Sequence, residues 1–329
     1  MLSVNNLDVI INTVFGEARA VRDLSFELDK GQTLGLVGES GCGKSITALA
    51  ILGLLPENSW AKGQIQFNGR DLLSLNENEM CSIRGNKISM VFQEPMTSLN
   101  PLHTIGKQIA EPMILHGIVS RGSALKKVIK LLDMVGISEP SKRISSYPHE
   151  LSGGQRQRVM IAMALSCNPE ILIADEPTTA LDVTIQKQIL DLIYNLINDL
   201  GMSMILISHD LGVIANNVNE IIVMYGGSCV EKGPTRTLFS NLSHPYSQGL
   251  FSAIPTLKNS SKGKKRLKTI PGFVPELTDI PSGCTFNGRC SYVTEECKIA
   301  PPSVVEVAPN HYSACLHIDE VKHNWVNNE

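Results

Sequence analysis

The stretch that decides the fold is Gly38-Glu-Ser-Gly-Cys-Gly-Lys-Ser45, which has the form GxxxxGK[ST]. An apolar run, Thr33-Leu-Gly-Leu-Val37, stands directly before it and predicts a short buried strand. Residues 46–55 follow it and are apolar enough to predict a core helix. A strand, a glycine-rich loop and a helix in this order are the setting that a phosphate-binding loop requires and that a chance glycine-rich turn does not.

The chemistry of this loop follows from its residue types. Gly38, Gly41 and Gly43 let the backbone curl, so that successive N–H groups point into one concave nest. The N-terminus of the following helix adds partial positive charge behind the nest. Lys44 is expected to reach the β- and γ-phosphates of a nucleotide, and the Ser45 hydroxyl is expected to ligate Mg²⁺. The nucleotide-binding set that we predict in this segment also includes Ser40, Cys42 and Ile46.

Three further apolar runs end in polar residues. The run after Glu170 ends in Asp175 and Glu176, and two carboxylates at the end of a buried strand are costly unless a cation or substrate needs them. Asp175 therefore suits Mg²⁺ ligation, and Glu176 suits a general base that polarises water. Gln93 follows a second run, where it would touch Mg²⁺ and the attacking water. His209 follows a third run, where it would lie beside the γ-phosphate, although neither residue is informative alone.

Residues 96–150 differ in character from the segments around them. Prolines interrupt the pattern and Ser123–Val135 predicts an amphipathic helix, so we expect a helical insert in an α/β core. The pentapeptide Leu151-Ser-Gly-Gly-Gln155 then precedes a predicted helix over 156–166. A helix N-terminus preceded by small residues suits anion binding, but an ordinary N-cap at Ser152 gives the same pattern.

Composition narrows the class of protein. The chain has 329 residues, of which 43% are hydrophobic, so it has room for one large domain and a smaller one. A formal net charge of −3 argues against nucleic acid as the main partner. No run of 18 apolar residues and no secretory signal is evident, so we expect a cytoplasmic location. Phe15, between predicted strands over 2–11 and 24–28, would stack on a base or pack on the sheet edge.

The order of these motifs resembles that of ABC-transporter ATPases. The segments that resemble the Walker A loop, Q-loop, signature, Walker B strand, D-loop and H-switch are, in order, Gly38–Ser45, Gln93, Leu151–Gln155, Ile171–Glu176, Asp182 and His209. The resemblance implies an α/β P-loop NTPase (RecA-like) nucleotide-binding domain over 1–235, with a helical subdomain at about 96–155. A small irregular, cysteine-rich accessory domain would occupy 236–329.

In that family two such domains sandwich two ATP molecules head-to-tail. By resemblance, Glu176 is the base, Lys44 and the loop amides stabilise charge on the transferred phosphoryl group, and His209 positions the γ-phosphate. Phe15 stands where the family keeps its adenine-stacking aromatic residue. The residues that would complete the ATP site of the partner domain are Ser152, Gly154 and Gln155, and Gly153 and Asp182 also belong to the predicted nucleotide-binding set.

Four segments narrow the resemblance to the ATPase subunits of dipeptide and oligopeptide permeases: Gln93–Pro101, Ala174–Thr184, His244–Tyr246 and Pro271–Pro275. Nickel and glutathione importers use close relatives. The resemblance implies a second ATPase subunit, favoured as a paralogue, two transmembrane permease subunits and an extracytoplasmic solute-binding protein. The chain would then be peripheral at the cytoplasmic face of a bacterial inner membrane.

Two alternatives belong to other classes. A soluble ABC ATPase acting on nucleic acid or ribosomes usually carries tandem cassettes or a coiled-coil insertion, whereas this chain has one phosphate loop, one signature and no basic excess. A regulatory iron–sulfur protein that merely binds ATP would not need an intact Glu176 and His209. The basic stretch Lys258–Lys268 predicts a solvated linker loop, with contact to anionic lipid headgroups as the alternative.

Half of the eight cysteines fall in one short segment, as Cys284-x5-Cys290-x6-Cys297-x17-Cys315. Because the segment is rich in Pro, Gly and Asn and poor in apolar residues, a metal staple would help to hold it together. Four thiolates suit a [4Fe–4S] cluster or a tetrahedral zinc ion, and the spacing lacks the short C-x2–4-C pairs typical of zinc. The permease resemblance implies a [4Fe–4S] cluster, with zinc as the second possibility and free cysteines as the third.

Overall fold

The computed structural model describes residues 1–94, 98–179, 181–253 and 269–326. The predicted linker at Lys258–Lys268 lies outside these ranges. The chain forms two compact units. The first unit consists of Met1–Glu27, Leu34–Leu73 and Ile207–Glu329, and the second of Leu28–Thr33 and Ser74–Leu206. The predicted domain boundary between residues 235 and 236, and the bounds of the helical subdomain, stay predictions.

The first unit contains an antiparallel sheet with the strand order β2-β1-β4-β5. Its strands are β1 (Leu2–Thr13), β2 (Gly16–Leu28), β4 (Ser59–Phe67) and β5 (Arg70–Asp71). The two strands predicted near the N-terminus are confirmed, and both extend further than the alternating pattern indicated. Side chains along β1 and β2 alternate between buried and more exposed positions, as a sheet with one face on the core requires.

The first unit also holds five hydrogen-bonded strands in the order β11-β12-β10-β9-β3. They are β3 (Thr33–Val37), β9 (Glu220–Tyr225), β10 (Ser228–Pro234), β11 (Val305–Ala308) and β12 (His311–Ser313). All five residues of β3 are buried, and β3 pairs in parallel with β9, which fits its uninterrupted apolar sequence. Because β12 pairs with β10, the C-terminal part of the chain contributes strands to this sheet and is less irregular than the sequence indicated.

Helices of the first unit flank the phosphate loop and fill the C-terminal part. They are α1 (Lys44–Ile51), α8 (Leu211–Asn217), α9 (Thr235–Ser240), α10 (Pro245–Ser252), α11 (Glu296–Ile299) and α12 (Ile318–Val326). The core helix predicted after the phosphate loop is confirmed as α1. It ends at Ile51, earlier than the apolar pattern indicated, because Gly53 adopts a left-handed φ of 61°.

The second unit contains β6 (Ile88–Val91), β7 (Ile171–Asp175) and most of β8 (Ser203–Ser208), in the order β8-β7-β6. Its helices are α2 (Glu77–Ile83), α3 (Ile105–Leu115), α4 (Arg121–Met134), α5 (Pro140–Arg143), α6 (Gly153–Leu165) and α7 (Val183–Leu200). The helix predicted over Ser123–Val135 is confirmed as α4, which packs on α3 and α6. The expected mixture of α/β core and inserted helices is therefore present.

Candidate functional site

The phosphate loop lies in the first unit between β3 and α1. Gly38 has a φ of 154° and Gly43 a φ of 103°, conformations that L side chains rarely adopt. A Cβ atom on Gly43 would lie 2.6 Å from the Ala20 carbonyl oxygen, and one on Gly38 would collide with the Met224 carbonyl oxygen. The loop therefore requires glycine at both positions, on conformational and on steric grounds.

Lys44 is buried, with 5% of its surface exposed, and its ammonium group lies inside the loop. Its Nζ atom donates hydrogen bonds to the Gly38 carbonyl at 2.8 Å and to the Glu39 carbonyl at 3.0 Å. Gly43, the N-cap of α1, provides no side-chain cap for the helix. A helix N-terminus without a side-chain cap, beside a lysine that is held within a glycine loop, is an arrangement that attracts anions.

Cys42 occupies a variable position of the loop and is buried, with 1% exposed. Its Sγ atom lies 3.6 Å from Lys44 Nζ. Burial raises the pKa of the Cys42 thiol, although the neighbouring Lys44 acts in the opposite direction. The side chain thus fills space within the loop as a neutral thiol at ordinary pH.

The two acids at the end of β7 lie in the second unit. Asp175 is buried, with 5% exposed, and Glu176 follows it with a φ of 44°, a left-handed conformation that is rare for a residue other than glycine. Gln93 Nε2 donates to Glu176 Oε2 at 3.0 Å, and Thr179 Oγ1 donates to the same oxygen at 2.9 Å. Local strain of this kind tends to occur at functional sites, where the surrounding contacts hold it in place.

The structure therefore brings together two residues that the sequence singled out separately, Gln93 and Glu176. It also adds Thr179, which the motif search missed. The sequence did contain a signal for this contact, because a polar residue three positions after an acid can be brought back to it by a turn. The Thr179 N–H closes that turn by donating to the Glu176 carbonyl at 3.1 Å.

The signature segment forms the start of α6 in the second unit. Ser152 is its N-cap, and the helix begins at Gly153 rather than at Arg156. The Gln155 N–H donates to Ser152 Oγ at 3.4 Å, and the Ser152 N–H donates to Gln155 Oε1 at 3.0 Å, which is a capping box. The N-cap interpretation is confirmed, and a role in binding an anion stays a prediction.

Asp182 caps the next long helix, α7, by accepting a hydrogen bond from the Ile185 N–H at 3.0 Å. The first turn of α7 lies close to the signature, because a Cβ atom on Gly154 would be 3.0 Å from Ile185 Cγ2. Gly153 likewise faces Leu181, at 3.5 Å. The predicted signature and D-loop residues therefore share one region of the second unit.

Phe15 and His209 belong to the first unit. Phe15 lies in the turn between β1 and β2 and is 85% exposed, so the alternative that it packs on the sheet edge is wrong. Its stacking on a base stays a prediction. His209 directly follows β8 and is exposed, and Asp210 caps α8 by accepting from the Gly212 N–H at 2.7 Å.

The four clustered cysteines also lie in the first unit. Burial, together with the neighbouring cysteines of the cluster, raises the pKa of the Cys290 and Cys315 thiols to about 11. The Cys284 N–H donates to the Cys297 carbonyl at 2.8 Å, and Cys297 Sγ lies 3.6 Å from His317 Nε2. His317, which the sequence reasoning missed, therefore contacts the cluster.

Within the described ranges, no group of three or more His, Cys, Asp or Glu side chains is arranged to hold a metal ion. The predicted [4Fe–4S] cluster or zinc ion at Cys284, Cys290, Cys297 and Cys315 is therefore not supported by the geometry. In the same part of the chain, no helix is both long enough and apolar enough to cross a membrane.

Comparison with known proteins identifies the class. Residues 21–179 match the family model described as ABC transporter. The dimeric post-hydrolysis structure of the ATP-binding cassette MJ0796, bound to ADP and Pi, superposes with a TM-score of 0.64 and 29% identity, over 72% of this chain and 99% of that one. The phosphate loop, the acids after β7 and the capped signature helix are thus parts of an ATP-binding cassette.

Full-length relatives narrow the assignment. The probable peptide ABC transporter ATP-binding protein y4tR of Sinorhizobium fredii is 48% identical, over 98% of this chain and 96% of the relative. The oligopeptide transport ATP-binding protein OppD of Bacillus subtilis is 48% identical, over 98% of this chain and 90% of the relative. Residues 230–297 match the model described as oligopeptide/dipeptide transporter, C-terminal region. The chain belongs to the family of ABC transporter ATP-binding proteins of the oligopeptide/dipeptide type, and it is an ATPase.

Proposed function

We propose that this chain binds and hydrolyses MgATP as the ATPase subunit of an importer for di- or oligopeptides. The proposal that the chain hydrolyses ATP rests on the geometry of Glu176. This residue follows a buried strand and has a left-handed backbone conformation, and its carboxylate accepts hydrogen bonds from two side chains. The peptide part is supported by relatives that match along almost the whole chain, including its C-terminal region.

In this proposal the phosphate loop holds the nucleotide. Its backbone N–H groups and the ammonium group of Lys44 bind the phosphates, and the buried position of Lys44 strengthens its electrostatic effect. Bound Mg²⁺ would neutralise phosphate charge, and the side chains suited to holding it are Ser45, Gln93 and Asp175. The other loop residues assigned to nucleotide contact are Gly38, Ser40, Gly41, Cys42, Gly43 and Ile46.

Glu176 serves as the general base that polarises the attacking water. Two hydrogen bonds, from Gln93 and Thr179 to Oε2, restrain the orientation of its carboxylate toward that water. His209 positions the γ-phosphate, and Lys44 stabilises negative charge as the phosphoryl group is transferred. Phe15, exposed in its turn, stacks on the adenine ring.

The signature acts on a second ATPase subunit. Ser152, Gly153, Gly154 and Gln155, together with the helix cap Asp182, complete the ATP site of that partner, which we propose to be a paralogue. Closure of the pair drives two permease subunits between inward- and outward-facing states, and an extracytoplasmic solute-binding protein delivers the substrate. The chain is then peripheral at the cytoplasmic face of a bacterial inner membrane. Nickel and glutathione importers are the alternatives for substrate, since selectivity resides in other subunits.

The cysteine cluster is the remaining part of the proposal. An iron–sulfur cluster, with zinc as the alternative, is supported by the spacing of the four cysteines in the sequence. No step of hydrolysis depends on it. The proposed metal site is tested by measuring iron, acid-labile sulfide and zinc in the protein purified without oxygen. The absence of all three would contradict it.

Affinity purification of the tagged chain from detergent-solubilised membranes, with mass spectrometry of its companions, tests the transporter assignment. We expect two polytopic membrane proteins and a second ATPase, and the solute-binding protein encoded with them is then assayed for peptide, nickel and glutathione binding. Ribosomal proteins or DNA-binding factors without any membrane protein would contradict the assignment.

A further inference from the structure

An arginine from the cysteine-rich part of the chain reaches the phosphate loop. Arg289 Nη1 donates to Glu39 Oε2 at 2.6 Å, and Nη2 donates to Glu39 Oε1 at 3.1 Å. The Arg289 side chain is 6% exposed and that of Glu39 is 29% exposed. A bidentate arginine–carboxylate pair combines charge with a fixed geometry, and this one is shielded from water, so it restrains Glu39 strongly.

Glu39 is the second residue of the loop, and all of its polar groups are held. Its carboxylate accepts from Arg289, its backbone N–H donates to the Tyr246 hydroxyl at 2.8 Å, and its carbonyl accepts from Lys44 Nζ at 3.0 Å. Two of these three anchors, Arg289 and Tyr246, come from residues that follow the nucleotide-binding motifs in the sequence. The third anchor is the lysine that we assign to the phosphates.

The anchors themselves are firmly fixed. Arg289 Nε donates to the Pro271 carbonyl at 2.9 Å, and its guanidinium lies 5.7 Å from the centre of the Tyr225 ring. The Glu39 carboxylate raises the pKa of Arg289, so the guanidinium is always charged. Tyr246 is fully buried and packs edge-on against Tyr225, with ring centroids 4.7 Å apart. Phe286 completes the aromatic cluster, 5.0 Å from Tyr225.

We propose that Arg289 and Tyr246 are positioning residues for the nucleotide, because they hold Glu39, and with it the phosphate loop, in the shape that accepts ATP. The inference rests on the proposed function, since it assumes that the loop binds ATP. According to this inference, residues of the C-terminal segment contribute directly to the affinity for ATP. An unrestrained loop has to be ordered when ATP binds, and that ordering lowers the affinity.

Equilibrium binding of N-methylanthraniloyl-ATP with Mg²⁺ to the full-length chain tests the inference. We expect Arg289→Ala to raise the Kd for the nucleotide about tenfold. In free energy, this change lies at the lower end of the range for a hydrogen bond to a charged group. Arg289→Lys keeps the charge and at most one of the two bonds, so it should fall between the wild type and Arg289→Ala. Lys298→Ala is the matched control, because Lys298 pairs on the surface with Glu295 at 2.6 Å in the same segment, and its Kd should equal that of the wild type.

A purely structural role for the pair predicts a lower melting temperature with an unchanged Kd. A folded Arg289→Ala variant that binds the nucleotide within about twofold of the wild type would therefore overturn the inference. If that variant fails to fold, Glu39→Gln, which removes the charge at nearly constant volume, decides in the same way. Failure of the wild type to bind the nucleotide would overturn the proposed function as well, whereas wild-type binding with unaffected variants overturns only this inference.

Discussion

Thr179 offers a sharp test of how the catalytic carboxylate is held. Glu176 Oε2 accepts two hydrogen bonds, from Gln93 Nε2 at 3.0 Å and from Thr179 Oγ1 at 2.9 Å. Thr179→Val keeps the branched shape and removes one of these bonds. A hydrogen bond to a charged group contributes about 1.5–3 kcal/mol. Because the Gln93 bond still restrains the carboxylate in this variant, we expect the transition state to lose only about half of that stabilisation.

Half of that contribution is about 0.75–1.5 kcal/mol, so kcat for ATP hydrolysis should fall roughly four- to twelvefold. The Kd for ATP should not change, because the hydroxyl of Thr179 restrains the base and is not assigned to the nucleotide. The assay is steady-state phosphate release by the complex recovered from membranes, with nucleotide binding measured alongside. Thr178→Val is the matched control, since the hydroxyl of Thr179 is the one that donates to Glu176. An unchanged kcat in Thr179→Val would refute this account of how the base is oriented.

Two further predictions concern stability. Ser152→Ala removes the cap of α6 and should lower the free energy of unfolding by about 1 kcal/mol. Urea unfolding should show a lower midpoint with an unchanged slope. An unchanged midpoint would mean that the capping box does not contribute to stability. Burial lowers the pKa of His244 to about 3, and its neutral ring accepts the Tyr246 N–H at 3.1 Å. Because unfolded His244 titrates near 6.5, its contribution to stability is complete above that pH and is lost as the pH falls toward 3. His244→Asn should therefore flatten the decline of stability between pH 6.5 and about 3, and an equally steep decline in the variant would contradict this assignment.

The nucleotide motifs and the elements around them were predictable because their signals are local. The glycine loop, the apolar strand before it and the helix after it follow one another directly, and the structure confirms β3 and α1. The earlier start of α6 was also readable, since Ser152 and Gln155 have the spacing of a capping box.

Contacts between distant parts of the chain were not predictable from local pattern. Glu39 and Arg289 are 250 residues apart, and nothing in either neighbourhood indicates the other. The buried pair of Glu231 and His311, both with fully buried side chains and 2.8 Å apart, was missed for the same reason. Strand β11 was missed because it is only four residues long and none of them is buried, so its brief apolar–polar alternation gives a weak signal.

The cysteine spacing shows the limit of reasoning from a motif. It placed four cysteines in one neighbourhood, and the effect of the thiols on one another's pKa agrees with this. The described residues nevertheless show no metal-ligating group of three or more side chains. Closeness in the sequence indicates only that the side chains lie in one region. A metal site also requires each donor atom to point at a common centre.

The most direct test of the central claim is ATP binding and hydrolysis by Glu176→Gln, measured in the complex recovered from membranes. The amide keeps the shape of the side chain but cannot act as a base. We predict an unchanged Kd for ATP and a kcat at least about a hundredfold lower, which is the contribution of a general base. Hydrolysis near the wild-type rate with normal binding would contradict the assignment of Glu176, and with it the mechanism proposed for this ATPase.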